Sequence, residues 1–138
     1  MNKKIFCLDD DELFQRMLKY KLSLDPEYEV TIFEDAKSML QCINMEPDVV
    51  TLDLNLPDME GVEVMKIIQD KSPSTQVVVL STENDVQKVS ELFKLGIFDY
   101  ITKDQQSMER IWQVVHKATS HAQLDKEVHL LREEMHQQ

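Results

Sequence analysis

The sequence predicts an α/β domain: a doubly wound, parallel, five-stranded sheet followed by an extended C-terminal helix. Three observations predict it. Short apolar runs alternate five times with segments whose apolar residues recur at helical spacing. Several of those runs are continuously apolar, as strands covered on both faces are. The 138 residues suffice for one core of this kind and leave only a short tail over.

Lys4 to Leu8 is the first strand, and Leu13, Phe14, Met17, Leu18 and Leu22 then mark a helix until Asp25-Pro26 stops the pattern. Tyr28 to Phe33 is the second strand. Ala36, Met39, Leu40 and Ile43 follow on a helix that Asp35 can cap. Val49 to Leu52 reads as a strand buried on both faces, Leu56-Pro57 turns the chain, and Val62, Val64, Met65, Ile67 and Ile68 form the third helix. Gln76 to Leu80 is the fourth strand, and the helix carrying Val86, Val89, Leu92, Phe93 and Leu95 ends at Gly96. Phe98 to Thr102 is the fifth strand, and Ser107 is the expected N-cap of the last helix. Strands and helices in strict alternation join by right-handed crossovers, so helices cover both faces of the sheet. The expected class is flavodoxin-like, (βα)5 with strand order 2-1-3-4-5, whose ligands sit beyond the carboxyl ends of the strands.

A net charge of −11 and the lack of a basic stripe speak against direct nucleic-acid or anionic-membrane binding. Lys3 and Lys4 are followed by only a short apolar run before Asp9-Asp10-Asp11-Glu12, which is no secretory leader. The longest apolar block, Val77 to Leu80, is far too short to span a bilayer. Cys7 and Cys42 form no metal or redox spacing and read as two buried thiols in a reducing cytoplasm. His116, His121, His129 and His136 fall in one helix with no pair at i, i+4, so they read as solvated positions.

The strand ends carry the chemistry. Asp9, Asp10 and Asp11 follow the first strand, Asp53 and Asn55 the third, Ser81 and Thr82 the fourth, and Lys103 the fifth. Clustered carboxylates repel one another and take up protons unless a divalent cation keeps them ionised. Mg2+ suits such a set, because it prefers oxygen ligands and retains waters whose places phosphate oxygens can occupy. A carboxylate can then attack phosphorus while an ammonium, here Lys103, balances charge on the transferring group and Ser81 donates a hydrogen bond to it.

The motifs Leu8-Asp9-Asp10, Asp53-Leu54-Asn55-Leu56-Pro57 with Gly61, Leu80-Ser81-Thr82-Glu83, Tyr100 and Lys103, each at a strand end, resemble the receiver domains of two-component response regulators over about residues 3–120. The resemblance implies Asp53 as phosphoacceptor, with Asp10, Asp53 and the Asn55 backbone carbonyl as Mg2+ ligands and Asp9 acting through water. It makes Ser81 and Tyr100 the switch pair, Lys103 the phosphate-binding lysine, and Asn55 and Glu83 the positions that tune dephosphorylation. A sensor histidine kinase or phosphotransfer protein is the implied donor, and the receiver catalyses its own modification. The sequence departs from the family at Lys103-Asp104, where Lys-Pro is usual. A cis bond before a residue other than proline is costly, so a trans bond is expected, with a loop of altered shape.

Asp11 is read as a helix start and not as a metal ligand. Tyr100 has a plain packing alternative, and Trp112, with Ile111 and Val115, reads as core more than as binding surface. A haloacid dehalogenase-type phosphohydrolase, which also uses an aspartate nucleophile and Mg2+, needs Asp-x-Asp where this chain has Asp53-Leu54-Asn55. A phosphorylation-independent binding module is the other alternative. The receiver is expected over residues 1–120, with 121–138 a helical extension or linker. There Leu124, Val128, Leu131 and Met135 are spaced by four, three and four, a short heptad seam through which the chain can dimerise. The face made by helix four, strand five and helix five is the other partner surface that the resemblance implies. Leu130-Leu131-Arg132-Glu133-Glu134 resembles the linker helices of sigma-54-dependent activators, so the expected setting is the regulatory part of a longer transcription regulator.

Overall fold

The computed structural model describes residues 2–82 and 86–136. Its elements alternate throughout: β1 (Lys3–Leu8), α1 (Glu12–Ser23), β2 (Tyr28–Phe33), α2 (Ala36–Gln41), β3 (Val49–Asp53), α3 (Gly61–Lys71), β4 (Gln76–Ser81), α4 (Val86–Leu95), β5 (Asp99–Thr102) and α5 (Met108–His136). The strands form one parallel sheet in the order β2-β1-β3-β4-β5, as expected.

Alternation along each strand sorts the core into two layers. Ile5, Cys7, Val49, Val78, Leu80 and Ile101 face α1 and α5, where Leu18, Leu22, Ile111 and Val115 meet them. Phe6, Leu8, Val50, Leu52, Val77 and Val79 face the opposite way, against α2, α3 and α4 through Met39, Val64, Ile68 and Leu92. β1 and β3 are neighbours although α1 and α2 leave β1 and β2 toward opposite faces. The crevice lies at that reversal, beyond Leu8 and Asp53.

The local signals act largely as read. Asp11 caps α1, accepting from Leu13 N and Phe14 N, and Asp35 caps α2 through Ser38 N. Gly96 takes a left-handed φ of 98° and closes α4, with Gly96 N donating to the Phe93 carbonyl and Ile97 N to the Leu92 carbonyl.

Some details differ. β5 starts at Asp99, one residue later than expected, and Ile43 falls in a short 3-10 turn (Ile43–Met45) after α2 has ended. Cys42 is half-buried at that helix end, whereas Cys7 is fully buried in the sheet. Ser107 precedes α5 as expected, but its hydroxyl turns to the Thr102 carbonyl at 2.7 Å and the Asp104 carboxylate at 2.8 Å, which holds the loop. No described peptide bond is cis, in keeping with the expectation for Lys103-Asp104. α5 runs unbroken past residue 120, and Ala122 is still fully buried.

Candidate functional site

The strand that ends in Leu8 delivers Asp9 into the crevice, because the parity that points Ile5 and Cys7 toward α1 and α5 also points Asp9 that way. Thr51 and Asp53 share the parity of Val49, and Lys103 that of Ile101. Three groups from three strand ends thus converge on one side of the sheet. Lys103 Nζ donates to Asp9 Oδ1 at 3.0 Å and to Asp53 Oδ2 at 3.3 Å. Both aspartates are 1% exposed and the lysine side chain 9%. The ammonium also stands 4.6 Å from the centroid of the Phe14 ring, a cation–π contact that holds it from the α1 side.

Asp9 is further tied by its neighbours: Asp11 N donates to Asp9 Oδ1 at 2.8 Å and Gln15 Nε2 donates to the Asp9 carbonyl. Its Oδ2 lies 3.0 Å from the same ammonium yet accepts no hydrogen bond. Burial pushes the Asp9 carboxyl above its ordinary value of 3.8; the Asp11 N–H and Lys103 oppose that shift, and the charge of Asp53 adds to it. For Lys103, burial acts to lower the pKa, but the hydrogen bond it donates to Asp9 and the two carboxylate charges outweigh it, and the group sits above 10.5.

Asp10, exposed at the rim, completes an acidic cluster: Asp9, Asp10 and Asp53 each offer one carboxylate oxygen, all within 4.8 Å of one another. An orphaned, buried Asp9 oxygen beside two more carboxylates fits a hard divalent cation, which would supply the positive charge that one ammonium leaves short. Asn55 is exposed; its N–H donates to Asp53 Oδ1 at 3.0 Å and its Nδ2 to Thr82 Oγ1 at 3.2 Å, so it links the β3 and β4 ends. Ser81, the last residue of β4, is fully buried, and its carbonyl accepts from Lys103 N at 2.8 Å. Tyr100 is half-buried on β5 and packs toward α2, α3 and α4, on the other face from Asp53. Glu83 lies outside the described residues. Asp104 takes Gln106 N at 2.8 Å and shapes the loop.

Sequence reasoning read Phe14 as core only, named Thr82 at its strand end without a role, and passed over Gln15 and Asp58. Asp58, in the loop after β3, accepts from Ala36 N at 3.1 Å and Lys37 N at 3.0 Å, fastening that loop to the start of α2. None of these contacts has a sequence signal, since each joins residues from different elements or loops.

The family model for the response regulator receiver domain matches residues 5–129. The chain belongs to this family. The receiver is 32% identical over 103 residues to the transcriptional regulatory protein DegU of Brevibacillus brevis, covering 73% of this chain and 44% of that one. It is 31% identical over 113 residues to the chemotaxis protein CheY of Listeria monocytogenes serovar 1/2a, covering 79% and 92%. A solved structure described as the adenylate cyclase from Rhodopirellula baltica superposes with a TM-score of 0.87 at 28% identity, covering 96% of this chain and 98% of that one. The receiver therefore spans less than half the length of DegU but most of CheY. Receiver domains of two-component systems bind Mg2+ at an acidic pocket and interact with histidine kinases or phosphotransfer proteins. Among the described residues no helix is long and apolar enough to cross a membrane.

Proposed function

We propose that this receiver accepts a phosphoryl group on Asp53 from a phosphorylated histidine of a sensor kinase or phosphotransfer protein, and works in the cytoplasm as a switch for an output domain or partner. The observation that carries the reading is the convergence of buried Asp53 with Lys103 and the Asp9–Asp10 pair. In the reaction Asp53 Oδ forms the new P–O bond while the P–N bond of the donor histidine breaks. Asp10, Asp53 and the Asn55 carbonyl would hold Mg2+, with Asp9 acting through water; the ion supplies charge neutralisation for the transferring group. Lys103 leaves its contact with Asp53 to pair with a phosphoryl oxygen and stays anchored by Asp9 and the Phe14 ring. Ser81 donates its hydroxyl to the phosphoryl group, and Tyr100 follows that movement on the partner-facing side.

Asn55 and Glu83 set how readily water reaches the acyl phosphate. The receiver is a self-modifying signalling device and not an enzyme with a separate substrate. The description of DegU as a transcriptional regulator supports transcription control as the output. Beryllofluoride, which mimics a phosphoryl group on a carboxylate, tests the pocket: with Mg2+ it should shift the amide resonances of Ser81, Tyr100 and Lys103. Spectra unchanged by Mg2+ and beryllofluoride together would contradict the proposal.

A further inference from the structure

The Lys103 ammonium is held by the carboxylates of Asp9 and Asp53 and, on its α1 side, by the ring of Phe14. The ring belongs to the core layer of Cys7, Leu80 and Ile101 and is 5% exposed, with its centroid 4.6 Å from Nζ. Its place is set by the turn that also ties Asp9. Asp11 N donates to Asp9 Oδ1 at 2.8 Å, and Asp11 Oδ1 accepts from Phe14 N at 3.3 Å. The end of β1 and the first turn of α1 thus bring one carboxylate and one ring to the same ammonium.

The backbone of Lys103 is fixed as well, because its N–H donates to the Ser81 carbonyl at 2.8 Å. Between that anchor and the ammonium lies a long flexible stem with many rotamers. Contacts at the tip therefore decide where the charge sits. They respond differently to a metal. A divalent cation at the cluster of Asp9, Asp10 and Asp53 draws on the same carboxylate charge that holds the lysine. The ring has no net charge to lose to the cation. Its quadrupole attracts the ammonium most strongly where water is excluded, as it is around a lysine side chain only 9% exposed.

We propose that Phe14 is a positioning residue for phosphoryl transfer: its ring keeps the Lys103 ammonium beside Asp53 while the cation and the phosphoryl group take over the carboxylate oxygens. Phe14 supplies no ligand and acts through Lys103. The inference rests on the reading of Asp53 as phosphoacceptor and adds a residue from the core side of the pocket. Withdrawing electrons from the ring slows transfer and leaves Mg2+ affinity as it is.

The test places 4-fluoro-, 3,5-difluoro- and 3,4,5-trifluorophenylalanine site-specifically at position 14, one of five phenylalanines in the chain. The ring keeps its shape while its electron density falls stepwise. The rate of Asp53 phosphorylation by acetyl phosphate at saturating Mg2+ should fall at each step, by about tenfold in all. The Mg2+ dissociation constant and the urea midpoint should hardly move. Phe14→Leu, apolar but without a ring, should be at least as slow as the trifluoro variant. In the metal-free protein the ε-methylene proton resonances of Lys103 should lie upfield, shifted by the ring current, and return downfield in Phe14→Leu. A rate that stays constant across the fluorinated series, in a chain that is phosphorylated, would make Phe14 a core residue only and overturn the assignment. So would ε-methylene resonances that Phe14→Leu leaves in place. An unsubstituted chain that takes up no phosphoryl group would overturn the reading of Asp53, and this inference with it.

Discussion

Asp9 is asked to be buried and charged at once. Its carboxyl has no hydrogen bond on Oδ2 and sits beside Asp53, and its pKa is raised, with burial the main cause. A carboxyl raised in the folded state contributes stability that is full below its ordinary value of 3.8 and is lost as the pH rises through its folded value. The metal-free receiver should therefore lose stability over that window. Asp9→Asn should flatten that part of the profile and leave the metal-free protein at least as stable at neutral pH, while weakening Mg2+ binding; urea midpoints across a pH series, with and without Mg2+, check both. Cys7 lies at the other extreme: burial pushes its thiol up to about 12, and it should resist thiol reagents in the folded protein. The strand-end positions of Asp9, Asp53, Ser81 and Lys103 were legible in the sequence because a parallel α/β sheet fixes where chain-end groups gather. The cation–π contact with Phe14 and the Asn55–Thr82 bond were not, since an apolar residue at helical spacing carries no sign that its ring also serves a lysine.

At the scale of elements, caps and stops carry the fold. Asp11→Ala removes the acceptor for Leu13 N and Phe14 N at the start of α1 and should cost about 1 kcal/mol in denaturant unfolding, with the m-value unchanged. Gly96 holds φ 98°, and an added Cβ would also meet Gln69 Nε2 at 3.3 Å. Gly96→Ala should destabilise by roughly 1 kcal/mol, since it strains the turn that lets β5 follow α4. The sequence marks both positions plainly, by an acid before a helical run and a glycine after one. It marked α5 less well: periodicity showed a helix with a seam, while the bonds of Gln123 to Asp48 and of Gln76 to Asp125 join residues far apart in sequence, and only the three-dimensional arrangement reveals them.

For the molecule as a whole, the sheet order brings β1, β3 and β5 groups to one crevice, and the two covered faces leave that crevice as the place for chemistry. A cation bound only by the folded state raises stability by mass action, about 2.7 kcal/mol at a hundredfold excess over Kd. Mg2+ should thus raise the thermal midpoint, and Asp10→Asn, at the exposed rim of the cluster, should reduce the increment without disturbing the core. We propose that all this geometry serves phosphorylation of one carboxylate. Intact mass with peptide mapping after incubation with acetyl phosphate and Mg2+, comparing the unsubstituted chain with Asp53→Asn, tests it most directly. The expected result is one phosphoryl addition that requires Mg2+, maps to Asp53 and disappears in the variant. An addition elsewhere, one that survives Asp53→Asn, or no addition with either acetyl phosphate or a phosphorylated kinase as donor would contradict it.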